Sequence, residues 1–429
     1  MDGPLEPVPA PDELSFNYWL LKRLYIHPEE LQDQSIFYTK GDSLDSLGVI
    51  APDKLTGITP TQYFSLVSLY ASVTDRYTRY IPPEKADQQR LTDTSTTIHG
   101  GIGAEVAWSL NTDSTRLTFS RVYADGPAQA ANLNSGDRIV LMNGHEMRND
   151  SAYQIYSEVL KDSIWIRLDV MRGSFDAPVA VHIEILKGNI FVPTVFTDTI
   201  DGVPVIQVRE FVRSSVRDGG TDLEFQRALT ATHGGGVRVI DLRGNPGGEI
   251  NQCLNMVDEF LQDVPMIHLI SHHFDSRGRA RVDTSTYPAQ PGGIAVGERV
   301  ILAVDSGTAS CAEIFVTALK DNLQDRATIV GTHTYGKGIG QAHWNTPAGG
   351  VAIVTSIQIR SPLWTNYHGA GIPADVVTSK SKILSTAIGL AQAENGLARR
   401  SVTSEHFEEF MPVARQGGAW VDSTWGQYK

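Results

Sequence analysis

The spacing of apolar positions changes twice along the 429 residues. From residue 12 to 90 apolar side chains recur at three- and four-residue intervals, as in Phe16, Trp19, Leu20 and Leu24, then Tyr63, Phe64, Val67, Tyr70 and Ala71. That period predicts amphipathic helices. The paired prolines of Arg79-Tyr-Ile-Pro-Pro-Glu84 are expected to end this helical region. Between 95 and 187 the pattern shifts to short alternating runs such as Leu117–Val122, with Asn143-Gly144 placed to turn a tight hairpin. From 188 onward strand-like runs alternate with helical ones. Val203–Val208, Val237–Leu242, Val300–Val304 and Val351–Ile359 read as strands. Helices are expected around Leu223–Leu229, along Cys253, Met256, Val257, Phe260 and Leu261, after Ser310, and over Ile383–Ala398. The expected fold class is multidomain α/β. It comprises a leader and helical region over 1–94, a β-rich domain over 95–187, an α/β core with a mixed sheet over 188–400, and a tail over 401–429 of no assigned role.

Candidate chemistry gathers where the strand Val300–Val304 hands over to a helix, in Ser306-Gly-Thr-Ala-Ser-Cys-Ala-Glu313. A hydroxyl at Ser310 would lie beside the unpaired N–H groups at the positive end of that helix. Downstream, Tyr335-Gly-Lys-Gly338 presents one lysine framed by glycines, with Gln341 four residues beyond it. Ser310 and Lys337 are therefore a candidate nucleophile and base. Two plainer readings compete. Ser310-Cys-Ala-Glu313 also fits a capping box, and Gly331 to Lys337 matches a phosphate-binding loop up to Gly338, where Ser or Thr should hold Mg²⁺. No helical period follows Gly338, so the nucleotide reading fails. In Asp241-Leu-Arg-Gly-Asn-Pro-Gly-Gly248 the glycine pair allows a close backbone approach just before a helix, where an anion hole is expected.

These segments resemble the C-terminal processing (tail-specific) serine peptidases, the S41 family. The likeness rests on Thr-Ala-Ser310-x-x-Glu-Ile, Tyr-Gly-Lys337-Gly, Gln341 and the loop ending in Gly248. A closing Gly-Ile-Pro-Ala-Asp-Val element at 371–376 carries the family's Pro and Ala transposed. Cys311 stands where small residues are usual, and the connection Asn322–Arg326 is slightly long. The resemblance implies a Ser310–Lys337 dyad supported by Gln341, with an oxyanion hole from the amides of Cys311 and Gly247 or Gly248. Residues 95–187 resemble a PDZ domain through the glycine-rich opening Gly100–Val106, the Gly126-Pro-Ala run and Gly136-Asp-Arg-Ile before Asn-Gly. Ile102, Gly103, Ala104 and Glu105 would then form its carboxylate loop, and a substrate peptide would add as a strand. The implied substrates are proteins with free, apolar C-termini, and the implied location is extracytoplasmic. The alternatives are an inactive PDZ-bearing peptide-binding scaffold and, from the same dyad, an esterase or amidase.

Composition narrows the field further. A net charge of −13 and scattered Lys and Arg argue against a nucleic-acid partner. No apolar run has the length of a membrane span, and Met1–Pro11, acidic and proline-rich, reads as a leader without a signal pattern. Two cysteines give neither a disulfide framework nor a zinc signature. Cys253 and Cys311 read as buried free thiols, with a disulfide conceivable if their helices converge. His268 and His272 share a strand, which puts them about 13 Å apart, too far for one metal. No cofactor or metal is expected. His333 and His343 flank Lys337 and leave a Ser–His device open on spacing alone, while the resemblance favours lysine. Oligomeric state is not legible.

Overall fold

The computed structural model describes residues 12–38, 55–92, 96, 98–111, 114–147, 151–216, 219–234 and 236–396. The expected leader and the 401–429 tail lie outside them.

A six-stranded sheet organises the C-terminal half of the described chain. Its order is Val195–Ile200, Val203–Val208, Arg238–Asp241, Val300–Val304, Ala327–Gly331 and Val376–Val377, parallel except for the first pair. Because side chains alternate faces along a strand, each strand feeds two cores. Ile206, Val208, Ile240, Leu302, Val304 and Ile329 pack under the helices Thr221–Ala231, Ile250–Asp258 and Cys311–Leu323. Val205, Val239, Ile301, Ala303 and Val330 face the helix Ile383–Glu394 on the other side. A sheet covered on both faces is how mostly parallel strands bury their near-continuous apolar runs.

A second sheet, antiparallel throughout, holds Arg79–Ile81, Val351–Arg360, Pro265–Phe274 and Ala280–Pro288, with Ile339–Asn345 also paired to Val351–Arg360. The helices Glu13–Leu24 and Pro60–Ala71 cover it. Leu20, Leu21, Leu24, Leu66 and Leu69 close on Ala352 and Val354, and Trp19 stacks on Phe274 with ring centroids 4.8 Å apart. The sequence reading of 12–90 as uniformly helical is corrected here. Arg79–Ile81 is a strand of this sheet, and the second proline, Pro83, begins the helix Pro83–Thr92 instead of stopping one. A proline at the first helical position gives up an N–H that has no partner there in any case.

Residues 98–190 form a third unit. Five antiparallel strands, Ala104–Asn111, Ser114–Val122, Arg138–Met142, Trp165–Arg172 and Val179–Leu186, surround one core with the helix Ala152–Asp162. The expected hairpin forms at Asn143-Gly144, both at positive φ (48° and 83°).

Phe315, fully buried, meets Phe225 and Phe260 edge-on at 5.8 and 6.0 Å, locking three helices together beneath the core sheet. Phe315→Ala is expected to lower unfolding free energy by about 3–5 kcal/mol, measured by denaturant titration.

Candidate active site

Ser310 sits where the strand Val300–Val304 ends and the helix Cys311–Leu323 begins. Its backbone is at φ 55°, ψ −119°, a conformation that L-residues rarely hold unless their surroundings fix it. Three contacts from the loop after the neighbouring strand Arg238–Asp241 do so. Ala309 N–H donates to Asn245 O (2.9 Å), the Thr308 hydroxyl to Leu242 O (2.9 Å), and Gly244 N–H to the Asp305 carboxylate (2.8 Å). Both loops leave the carboxyl ends of adjacent parallel strands, the usual place for a site in an open α/β sheet.

The same loop brings Gly247 against the serine. A Cβ at Gly247 would come within 2.6 Å of Ser310 Cβ and 2.9 Å of Cys311 N, and one at Gly248 within 2.1 Å of Phe211 O. Neither position admits a side chain. Gly247 N–H is already given to Asn245 Oδ1 at 2.8 Å. Among the described residues, the N–H groups of Gly248 and Cys311 have no acceptor. Of the two glycines read from the sequence, Gly248 is therefore the one with an amide to offer, alongside Cys311.

Lys337 reaches this place through Glu313. The Glu313 carboxylate is fully buried in the first turn of the serine's helix. Its Oε2 accepts from Ser310 N–H (2.9 Å) and from Lys337 N–H (2.7 Å); its Oε1 accepts from Gly336 N–H (2.6 Å) and the Thr334 hydroxyl (2.6 Å). The two backbone nitrogens of Ser310 and Lys337 share one oxygen and can lie no farther apart than those two bond lengths combined. The capping glutamate read from the sequence is thus a cap that also holds the lysine loop.

Lys337 is half-buried, and its ammonium end lies over the Tyr77 ring, 4.5 Å from its centroid. Burial lowers its pKa to about 8; the Cys311 thiol and Asp75 oppose that shift, and the Arg79 and Arg76 guanidinium groups reinforce it. Discharge of the lysine therefore falls close to neutral pH. Tyr77 is fixed by a hydrogen bond between its hydroxyl and that of Tyr335 (3.1 Å). No direct hydrogen bond joins the Ser310 hydroxyl to Lys337 Nζ, a common condition of catalytic pairs before substrate closes the site. Gln341, on the strand Ile339–Asn345, donates its amide Nε2–H to the Thr355 hydroxyl (3.0 Å) and makes no bond to Lys337.

The other candidates disperse. His268 is spoken for on both ring nitrogens, by Thr286 Oγ1 (2.8 Å) and Pro362 O (3.1 Å), and stacks on Trp364. His333 contacts its neighbour's carbonyl, Thr334 O, at 3.0 Å. Cys253 and Cys311 are free thiols on converging helices. Burial, and then the adjacent Cys311, push the Cys253 thiol well up, leaving it an inert hydrophobe. Ile102 is buried, and its N–H and that of Gly103 have no acceptor among the described residues. Ala104 opens the strand Ala104–Asn111. The Glu105 carboxylate, by contrast, is taken by Arg209 of the core sheet's border and by the Tyr123 hydroxyl.

Residues 203–378, which carry Ser310, Glu313, Lys337, Gln341 and the loop ending in Gly248, match peptidase family S41. The chain is similar to that family over this segment, which is less than half of its length. The family match and the relatives below support a serine-type peptidase. A carboxy-terminal-processing protease of Bartonella bacilliformis is 27% identical over 309 residues, covering 71% of this chain and 67% of the relative. A protein named as a CtpA-like serine protease in Staphylococcus haemolyticus is 25% identical over 291 residues, 67% of this chain and 54% of its own. The chain thus spans just over half the length of that staphylococcal relative. Among solved structures, a Bacteroides fragilis protein described as an S41 protease superposes with a TM-score of 0.56 at 16% identity, over 92% of this chain and all of the other. That likeness is one of fold. Among the described residues no helix is long and apolar enough to cross a membrane.

What sequence reading missed is the wall and support of this candidate site: Tyr77, Asp75 and Thr355, which come from segments that carry no motif of their own. Glu313 provides the direct check on the assembly. Glu313→Gln replaces an acceptor by a donor facing N–H groups. It is expected to cost about 1–3 kcal/mol of stability and to lower kcat/KM on the order of a hundredfold or more, measured by thermal unfolding and peptide hydrolysis on the folded fraction.

Proposed function

We propose that the protein is a serine endopeptidase that cleaves protein substrates at or near their C-termini. Ser310 is the nucleophile and neutral Lys337 the general base. Ser310 Oγ attacks the scissile carbonyl while its proton passes to Lys337 Nζ; the amides of Cys311 and Gly248 receive the oxyanion. As the C–N bond breaks, the Lys337 ammonium returns that proton to the leaving amine, freeing the acyl-enzyme. A water, deprotonated by the same lysine, then releases the acid. The observation that carries this reading is the Glu313 oxygen shared by the Ser310 and Lys337 backbones, together with a lysine whose pKa burial lowers to about 8. A lysine at its ordinary pKa near 10.4 would be almost wholly charged and useless as a base at pH 7.

The substrate class follows the names of the relatives and the unit spanning 98–190. In this reading that unit is a PDZ-like module. The open amides of Ile102 and Gly103 would take the terminal carboxylate, and the peptide would pair with Ala104–Asn111, which has a strand partner along one edge only. Apolar C-termini and an extracytoplasmic location go with the same reading.

Ser310→Ala and Lys337→Met are each expected to abolish cleavage of an unstructured reporter with an apolar C-terminus, followed by gel and mass spectrometry. In the wild type, kcat/KM is expected to rise with pH through a limb centred near 8, as Lys337 loses its proton. Because the folded-state pKa lies below the unfolded one, the unfolded chain binds more protons between about pH 8 and 10.4, and stability rises with pH across that window. Lys337→Met should therefore melt above the wild type at pH 7, with the gap closing toward pH 10. Retained cleavage in either variant would refute the dyad.

A further inference from the structure

The N-terminal region contributes more than a wall. Between the helix Pro60–Ala71 and the strand Arg79–Ile81, the turn Asp75-Arg-Tyr-Thr78 lays one carboxylate against the strand Val351–Arg360. Asp75 Oδ1 accepts from Tyr77 N–H (2.8 Å). Its Oδ2 accepts from the Thr78 hydroxyl (2.6 Å) and from the hydroxyl of Thr355. Thr355 N–H in turn donates to Thr78 Oγ1 at 2.9 Å, and both threonines are buried.

A threonine hydroxyl has one proton to give. Thr355 gives it to Asp75, so toward Gln341 it can only accept. Gln341, opposite Thr355 across the strand pair at a register shift, must then turn its NH₂ to Thr355, as it does at 3.0 Å. An isolated glutamine amide has no such constraint; its two ends are near equal in shape and opposite in hydrogen-bonding sense. Fixing the NH₂ end at Thr355 directs the carbonyl Oε1 away from it; that oxygen makes no bond to Lys337 in this structure and is the end of the amide able to accept from an ammonium.

We infer that Asp75 is a positioning residue for the base: through the Thr355 hydroxyl it fixes which end of the Gln341 amide is presented to Lys337. The observed relay runs carboxylate, hydroxyl, amide, the step from amide to ammonium being the one proposed, and its first member comes from outside the family-matched segment 203–378. With asparagine at 75, a donor NH₂ can face Thr355, the hydroxyl proton can turn toward Gln341, and the amide can flip to set its own NH₂ against the ammonium. The inference rests on the Ser310–Lys337 reading. A purely structural role, pinning the turn to the strand, is the competing explanation.

The test is steady-state hydrolysis of a peptide reporter by the full chain, each variant checked by thermal unfolding. Asp75→Asn and Thr355→Val are expected to lower kcat on the order of a hundredfold, the scale of a misplaced catalytic group, with KM little changed. Thr355→Ser, which keeps the hydroxyl, should restore kcat. In a Gln341→Ala background, Asp75→Asn should produce no further loss, because its effect passes through the missing amide. Wild-type kcat in Asp75→Asn, a multiplicative loss in the double variant, or a loss that merely tracks the unfolded fraction would each overturn the inference. Ser310→Ala and Lys337→Met run alongside separate the two levels. Activity in those sinks the dyad itself, whereas their inactivity beside a fully active Asp75→Asn sinks only the relay.

Discussion

A single buried carboxylate, that of Glu313, holds the Ser310 and Lys337 segments in one place. It takes hydrogen bonds from Ser310, Thr334, Gly336 and Lys337, three of them backbone N–H groups that would otherwise be stranded in the interior. Burial makes this bond set hard to break, since each abandoned donor would bear the full cost of lost hydration. It also keeps the strained backbone of Ser310 from relaxing into an ordinary helical start. The adjacent parallel strands Val300–Val304 and Ala327–Gly331 deliver the two segments to the same edge of the core sheet, and Glu313 fixes their final separation.

Around that clamp the site is built from three stretches of chain with different tasks. The core sheet supplies Ser310, the open amides of Cys311 and Gly248, and Lys337, the proposed nucleophile, oxyanion donors and base. The antiparallel sheet supplies Gln341 and Thr355, and the turn before Arg79–Ile81 supplies Tyr77 and Asp75. Excluding water from the lysine requires all three, because desolvation is the leading cause of its lowered pKa. A core cut from the N-terminal region would keep Ser310 and lose the Tyr77 side of the enclosure that lowers the Lys337 pKa.

The parts of this arrangement that could be read from the sequence are those whose chemistry is local. Ser310 beside a helix start, the lysine between glycines and the glycine pair after Asn245 each announce themselves within a few residues. The apolar period likewise foretold the core strands, and the Asn143-Gly144 pair foretold the hairpin. Tyr77 and Thr355 could not be found that way. Nothing in Thr74–Thr78 signals that it will dock on a strand some 280 positions later, because that contact is made by sheet pairing. The choice between Gly247 and Gly248 was also hidden: it is decided by the Asn245 side chain, which takes one of the two amides. The prolines at 82 and 83 were misjudged for a physical reason, since a breaker inside a helix is a good first residue of the next.

The central claim is that the fold discharges Lys337 near neutral pH. Its most direct measurement is an NMR titration of the lysine side chains in ¹³C-methyl-labelled or ¹³C-lysine protein, with the Lys337→Met variant assigning the signal. The account expects one lysine to titrate near 8 while the surface lysines titrate near 10.4. A Lys337 signal moving with the rest, above pH 10, would contradict it.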